Sequence, residues 1–76
     1  MLVKGKDLKL GDWVVGSIPR KSKEFVEFDS PYCLLAHKER IIDARMYLCT
    51  HFGRATIGGF IDDTTYEVIR IDTKSA

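Results

Sequence analysis

The chain has 76 residues, 45% hydrophobic, 30% charged and 11% aromatic, with a formal net charge of +1. A chain this short makes one domain and buries only about 60% of its unfolded surface, and its composition is too apolar for disorder. No apolar run approaches the roughly 18 residues of a membrane span, and the Lys and Asp residues of "MLVKGKDLKLGD" leave no secretory h-region, so a cytoplasmic protein is expected.

In chain order, the first signal is "KGKDLKLGDWVV". Gly11 permits a turn at positive φ, and Asp12 can hydrogen-bond nearby amides before a strand begins. "DWVVGSI" and "EFVEF" are β-branched and aromatic, and the polar loop "PRKSK" between them predicts a hairpin. Further turn signals fall at Asp29-Ser30-Pro31, Gly53, Gly58-Gly59 and Asp62-Asp63-Thr64, and this short spacing suits a small sandwich or barrel.

Residues 31–52 admit two readings. As a helix, the segment has Ser30 at the N-cap, Pro31 in the first turn and Gly53 as the stop. Its apolar stripes, Leu34/Ile41/Leu48 and Leu35/Ile42/Cys49, would then enclose Lys38 and Arg45 on the face to be buried. As strands, "HKER" becomes a polar turn after "YCLLA", and Ile42, Ala44, Met46 and Leu48 alternate with Asp43, Arg45 and Tyr47. The strand reading is preferred. Beyond it, "IGGF" reads as a tight hairpin or a bulge in a curved strand. "TYEVIRI" is apolar on both faces, Tyr66 and Val68 on one and Ile69 and Ile71 on the other, as in a barrel strand that bends across the core. The tail 72–76 is expected to fray.

Leu8-Lys9-Leu10-Gly11-Asp12-Trp13-Val14 resembles the Leu-x-x-Gly-Asp-x-Val opening of SH3-like and KOW-type small barrels. "DDTTYEVIRI" looks like the closing strand of short bacteriophage proteins that begin the same way. The resemblance implies a mainly β fold, an SH3-like, partly open barrel of five to six short strands in a single domain over residues 1–76. The alternative is α+β with one long helix over 31–52. Such barrels host many unrelated activities, so the resemblance speaks to fold.

Chemistry-bearing residues are few. Cys33, His37, Cys49 and His51 have the ligand inventory of a tetrahedral zinc site, but Cys-x₃-His followed by Cys-x-His matches no common zinc module. The simpler reading is small buried thiols and surface imidazoles, with no cofactor. Two cysteines make no disulfide framework, so reduced thiols are expected. A Cys-His pair lacks an orienting group and an oxyanion loop, and Asp62-Asp63 read as turn residues, so no enzyme is expected.

Binding signals are stronger. Six of eight charged residues through position 23 are basic, whereas beyond it six basic residues face nine acidic ones. Such a field can orient a partner. Arg20, Lys21 and Lys23 lie together, with Phe25 after them and Trp13 before, and exposed rings beside Arg form protein–protein hot spots. The first expectation is therefore a non-enzymatic protein-binding module, in the phage-type reading one that docks on and inhibits a host protein, with a strand edge available for a partner or a second copy. The alternative is a nucleic-acid-binding barrel using the 20–23 loop. An outside reading is an oligomer that sequesters a nucleotide or other anion with Arg45, Arg54 and Tyr47.

Overall fold

A computed structural model describes residues 1–71. The strands are β1 (Leu2–Lys4), β2 (Trp13–Ile18), β3 (Val26–Ile41), β4 (Ala44–His51), β5 (Arg54–Ile61) and β6 (Thr65–Ile69), with one 3₁₀ turn at Gly5–Asp7. They form a single antiparallel sheet in the order β1-β6-β2-β3-β4-β5. The mainly β class and the partly open, barrel-like form agree with the sequence reading. The expected fraying at 72–76 lies outside the described residues.

The opening turn is built as its residues suggest. The Asp12 amide donates to the Lys9 carbonyl (3.1 Å), and the Lys9 amide donates to Asp12 Oδ2 (2.8 Å). Gly11, at φ 90°, donates its N–H to the Leu34 carbonyl (2.7 Å), which ties the turn to β3. "PRKSK" connects β2 to β3 and is closed by a Lys23 N–H to Pro19 carbonyl bond of 2.8 Å.

The long helix over 31–52 does not form. That segment is the second half of β3, a two-residue turn at Ile42-Asp43 and β4. A helix would have buried Lys38 and Arg45 side by side. In the sheet Lys38 falls where the β3–β4 register shifts and stays exposed, and Arg45 faces Asp62. "HKER" is therefore strand rather than turn, and β3 runs for 16 residues, longer than the short strands expected.

The inward face of β4 also differs from the simple alternation. Tyr47 and Cys49 are buried, while Met46 and Leu48 lie on the outer face, half-buried. Both faces of this strand are apolar, so periodicity alone could not choose between them.

Gly58-Gly59 form neither a hairpin nor a bulge, because the β4–β5 register runs unbroken from Ala44/Ile61 to His51/Arg54. Asp29-Ser30-Pro31 are likewise no turn. They belong to the stretch of β3 that leaves β2 between the Gly16/Glu27 and Val14/Tyr32 pairs, where Val15 alone stands opposite four residues. In β6 the core takes Tyr66 and Val68 only. Ile69 and Ile71 are exposed, so the strand does not cross from one side of the core to the other.

Every long strand contributes to one core: Val14, Leu34, Tyr47 and Cys49, Phe60, then Tyr66 and Val68, with Leu8 from the opening segment. Full burial of a side chain such as Leu34 contributes about 1.5–3 kcal/mol. The 3₁₀ turn closes one corner of the sheet. The Gly5 and Lys6 amides donate to the carbonyls of Thr64 (2.9 Å) and Asp62 (3.2 Å), and a Cβ on Gly5 would lie 2.0 Å from the Ile61 carbonyl oxygen. Only glycine allows that approach. Among the described residues, no helix is long and apolar enough to cross a membrane.

Candidate binding surface

The irregular stretch of β3 sets up the most distinctive surface. It carries Phe28 away from β2 and rejoins that strand at Tyr32, and both rings lie over the inner faces of β4 and β5. Tyr32 stacks flat on His51 (centroids 4.0 Å, interplanar 4°), while Phe28 and Phe60 meet the Tyr32 ring edge-on at 5.5 and 6.0 Å. Phe60 in turn contacts Tyr66 edge-on at 5.4 Å. The hairpin that holds His51 is fastened to β3 by the Phe52 amide donating to Ser30 Oγ (3.2 Å).

These rings wall an open cleft of about 310 Å³ beside β5, completed by Ser17, Thr56 and the backbone of Ile57 to Gly59. Gly58 keeps it open. A Cβ there would lie 3.1 Å from Cys49 Sγ and 3.3 Å from the Phe60 ring. The Tyr66 hydroxyl accepts the Ile61 amide (2.8 Å), and burial pushes its pKa up. Among the described residues, no Lys, Arg, Asp or Glu lines the cleft. It can hold an apolar or aromatic side chain by ring contact and offers hydroxyls at its edge.

At the β4–β5 tip, Phe52 and Gly53 both take positive φ, 53° and 72°. Phe52 is exposed and lies 4.4 Å from the His51 ring. A bulky residue held in the left-handed region beside a cleft is strain of the kind found at functional sites.

The sequence-predicted binding residues do not form one site. Arg20, Lys21 and Lys23 sit exposed on the β2–β3 loop, with Arg20 3.8 Å from Asp63. Phe25 is half-exposed, yet its ring covers Gly16, where a Cβ would meet it at 2.5 Å. Trp13 lies partly exposed on the outer face between Cys33 and Ile69. Arg54 is exposed opposite His51, and Arg45 lies six residues along β4 from that pair, roughly 20 Å away at strand rise.

Tyr47 is 3% exposed and belongs to the core, so within one chain Arg45, Arg54 and Tyr47 are not gathered. Arg45 instead shares Asp62 with Arg40, each at 3.5 Å, beside an open hollow of about 350 Å³ that His37 and Leu10 also line. The shared carboxylate cancels one of the two charges.

The zinc-type set is dispersed as well. His37 meets Tyr47 edge-on, His51 stacks on Tyr32, Cys49 is buried and Cys33 faces the outer side. Among the described residues no three His, Cys, Asp or Glu side chains converge as metal ligands. Both thiols are free, and burial pushes both pKa values up, which disfavours the thiolate.

Among the binding residues predicted from the sequence, none is Phe28, Tyr32, Phe60 or Tyr66. Their convergence depends on where β3 departs from β2. The molecule is thus a mainly β, partly open barrel-like protein with an aromatic cleft. No protein-family model, curated protein or solved structure matches the chain.

Proposed function

We propose that this chain is a non-enzymatic binding module whose partner is a protein, held through an apolar or aromatic side chain seated in the cleft of Phe28, Tyr32, His51, Phe60 and Tyr66. The observation that carries the reading is an open, ring-walled cleft with no Lys, Arg, Asp or Glu among its described lining residues. Phosphate or another anion finds no Lys or Arg there, whereas a protein anchor finds aromatic faces and hydroxyl partners. The suppressed thiolate character of Cys33 and Cys49 argues in the same direction against a cysteine nucleophile. In the phage-type reading suggested by the opening and closing motifs, the partner is a host protein in the cytoplasm and binding inhibits it.

Parallel affinity capture with the wild-type chain and Gly58→Leu tests this reading, using circular dichroism to confirm that both are folded. A partner retained by the wild type and lost with the filled cleft supports it. Equal retention by both, or no retained protein, sinks it.

Nucleic-acid binding keeps one supporting observation, the exposed Arg20, Lys21 and Lys23 on a single loop. It requires affinity that falls steeply with salt and with charge reversal in that loop. A gel shift absent at low salt removes it.

A further inference from the structure

The two edges of the sheet are unlike. β1 has three residues and ends on Lys4, whereas β5 has eight and, among the described residues, is paired without interruption to β4 on one side only. The Asp62 amide points toward β4, donating to the Asp43 carbonyl (2.8 Å), and the Ile61 amide points away, donating to the Tyr66 hydroxyl. Backbone direction alternates along a strand. The N–H and C=O groups of Ala55, Ile57 and Gly59 therefore also face away from β4, along the free edge. Beyond them, the edge is occupied: the Ile61 amide is bonded, and Gly5 lies against the Ile61 carbonyl.

Natural edges are blunted by Lys, Pro, bulges or inward charges. Ala55 to Phe60 has none of these, and Ile57 is half-exposed at its centre.

We infer that the free edge of β5 is a pairing surface for the same edge of a second copy of this chain, antiparallel about a two-fold axis at Ile57. This goes beyond the cleft reading, although the edge shares the backbone of Ile57 to Gly59 with the cleft wall. In that register Ile57 faces the second copy's Ile57, and Ala55 faces Gly59, so each outward residue exchanges both backbone bonds with its opposite number. Large side chains meet small ones: Thr56 falls opposite Gly58. Arg54 falls opposite Phe60 and well away from the other Arg54, so no like charges meet across the axis.

Moving the axis to Gly58 would require Ala55 to pair with Ile61, whose groups are taken. Moving it to Thr56 would set Gly59 against Gly53 in the hairpin turn. The Ile57 register uses every free group and no occupied one. On the outer face, Ile57 stands beside Leu48 of its own chain, so the two copies join their apolar rows across the axis.

The test is sedimentation of the full chain up to about 1 mM, the weak end of specific association, together with cross-linking in a Cys33→Ser background. A reversible monomer–dimer equilibrium is expected. Ile57→Lys, which brings two ammonium groups together at the axis, should abolish it, whereas Leu35→Lys on the same outer face should leave it unchanged. Ile57→Cys should form a disulfide with itself, since facing residues lie about 5.5 Å apart. Ala55→Cys should cross-link only when mixed with Gly59→Cys. A chain that stays monomeric at the highest concentration overturns the inference, as does a folded Ile57→Lys that dimerises like the wild type. Self-linking of Ala55→Cys as fast as that of Ile57→Cys overturns the register.

Discussion

Arg70 grips Asp12 with two hydrogen bonds of 2.8 Å, Nε to Oδ1 and Nη2 to Oδ2, joining the opening turn to the end of the last strand. Asp12 is 1% exposed, and its carboxylate also accepts the Lys9 amide. A fork-to-carboxylate pair of this kind is strong and geometrically specific. It fastens together the two ends of the chain that carry the barrel-like motifs.

Burial alone would raise the Asp12 pKa, but the Arg70 hydrogen bonds, the Lys9 amide and the attraction of Arg70 together hold it below its ordinary 3.8. A carboxylate depressed in the folded state contributes stability that is present above that ordinary value and lost as pH falls through the lower folded value. Acid unfolding of the wild type should therefore steepen below pH 3.8. Arg70→Met leaves the carboxylate buried without its partner and should cost about 3 kcal/mol at neutral pH, a gap that narrows as acid protonates the unpartnered carboxylate. Urea titrations of both proteins across pH measure this. A variant of unchanged stability would show that the pair is not a fastening.

Gly5→Ala tests the closed corner. Its Cβ would fall on the Ile61 carbonyl, so the 3₁₀ turn must move away from β5. The expected loss is about 1–3 kcal/mol, read as a drop of about 4–8 °C in Tm for each kcal/mol in a chain of this size. An unaltered Tm would mean that the turn closes nothing.

Phe52→Asn should stabilise the fold. Asn tolerates the left-handed conformation of the Phe52-Gly53 hairpin, where a bulky residue is strained, and the gain expected is about 1 kcal/mol. Chemical denaturation decides it. Absence of any gain would mean that the Phe52 ring contributes as much through His51 as its backbone loses.

Tyr66→Phe removes the acceptor of the Ile61 amide and should cost about 1–2 kcal/mol, with faster hydrogen exchange at Ile61. Burial raises the Tyr66 pKa above its ordinary 10.0, so the neutral hydroxyl contributes stability below that value that is lost as pH rises through the folded one. Alkaline melting of the wild type and Tyr66→Phe should differ accordingly.

Thiol titration separates the two cysteines. Cys49 is fully buried and Cys33 half-buried, and both thiols are pushed up by burial. A thiol-reactive disulfide at pH 8 should modify Cys33 more slowly than free cysteine and reach Cys49 only on unfolding. Rapid modification of both would contradict the burial of β4's inner face.

Local chemistry was legible in the residues alone: a β-rich chain, a Gly11-Asp12 turn that bonds its own amides, a loop at "PRKSK", and turns at Gly53 and Asp62-Asp63. Each follows from what a few adjacent residues permit at the backbone. The helix reading of 31–52 already carried its own objection in Lys38 and Arg45. Which face of β4 lies inside was settled by packing in the folded sheet, because both are apolar and period two gives alternation without direction. The same packing also decided that Asp29-Ser30-Pro31 mark a departure from β2, and that this departure gathers Phe28, Tyr32, His51 and Phe60 into a cleft. The partner of Asp12 lies 58 positions away, and the open edge of β5 exists only because strand order leaves it last. Register and strand order are long-range properties, fixed when the whole sheet closes on one core rather than by any residue's neighbours in the chain.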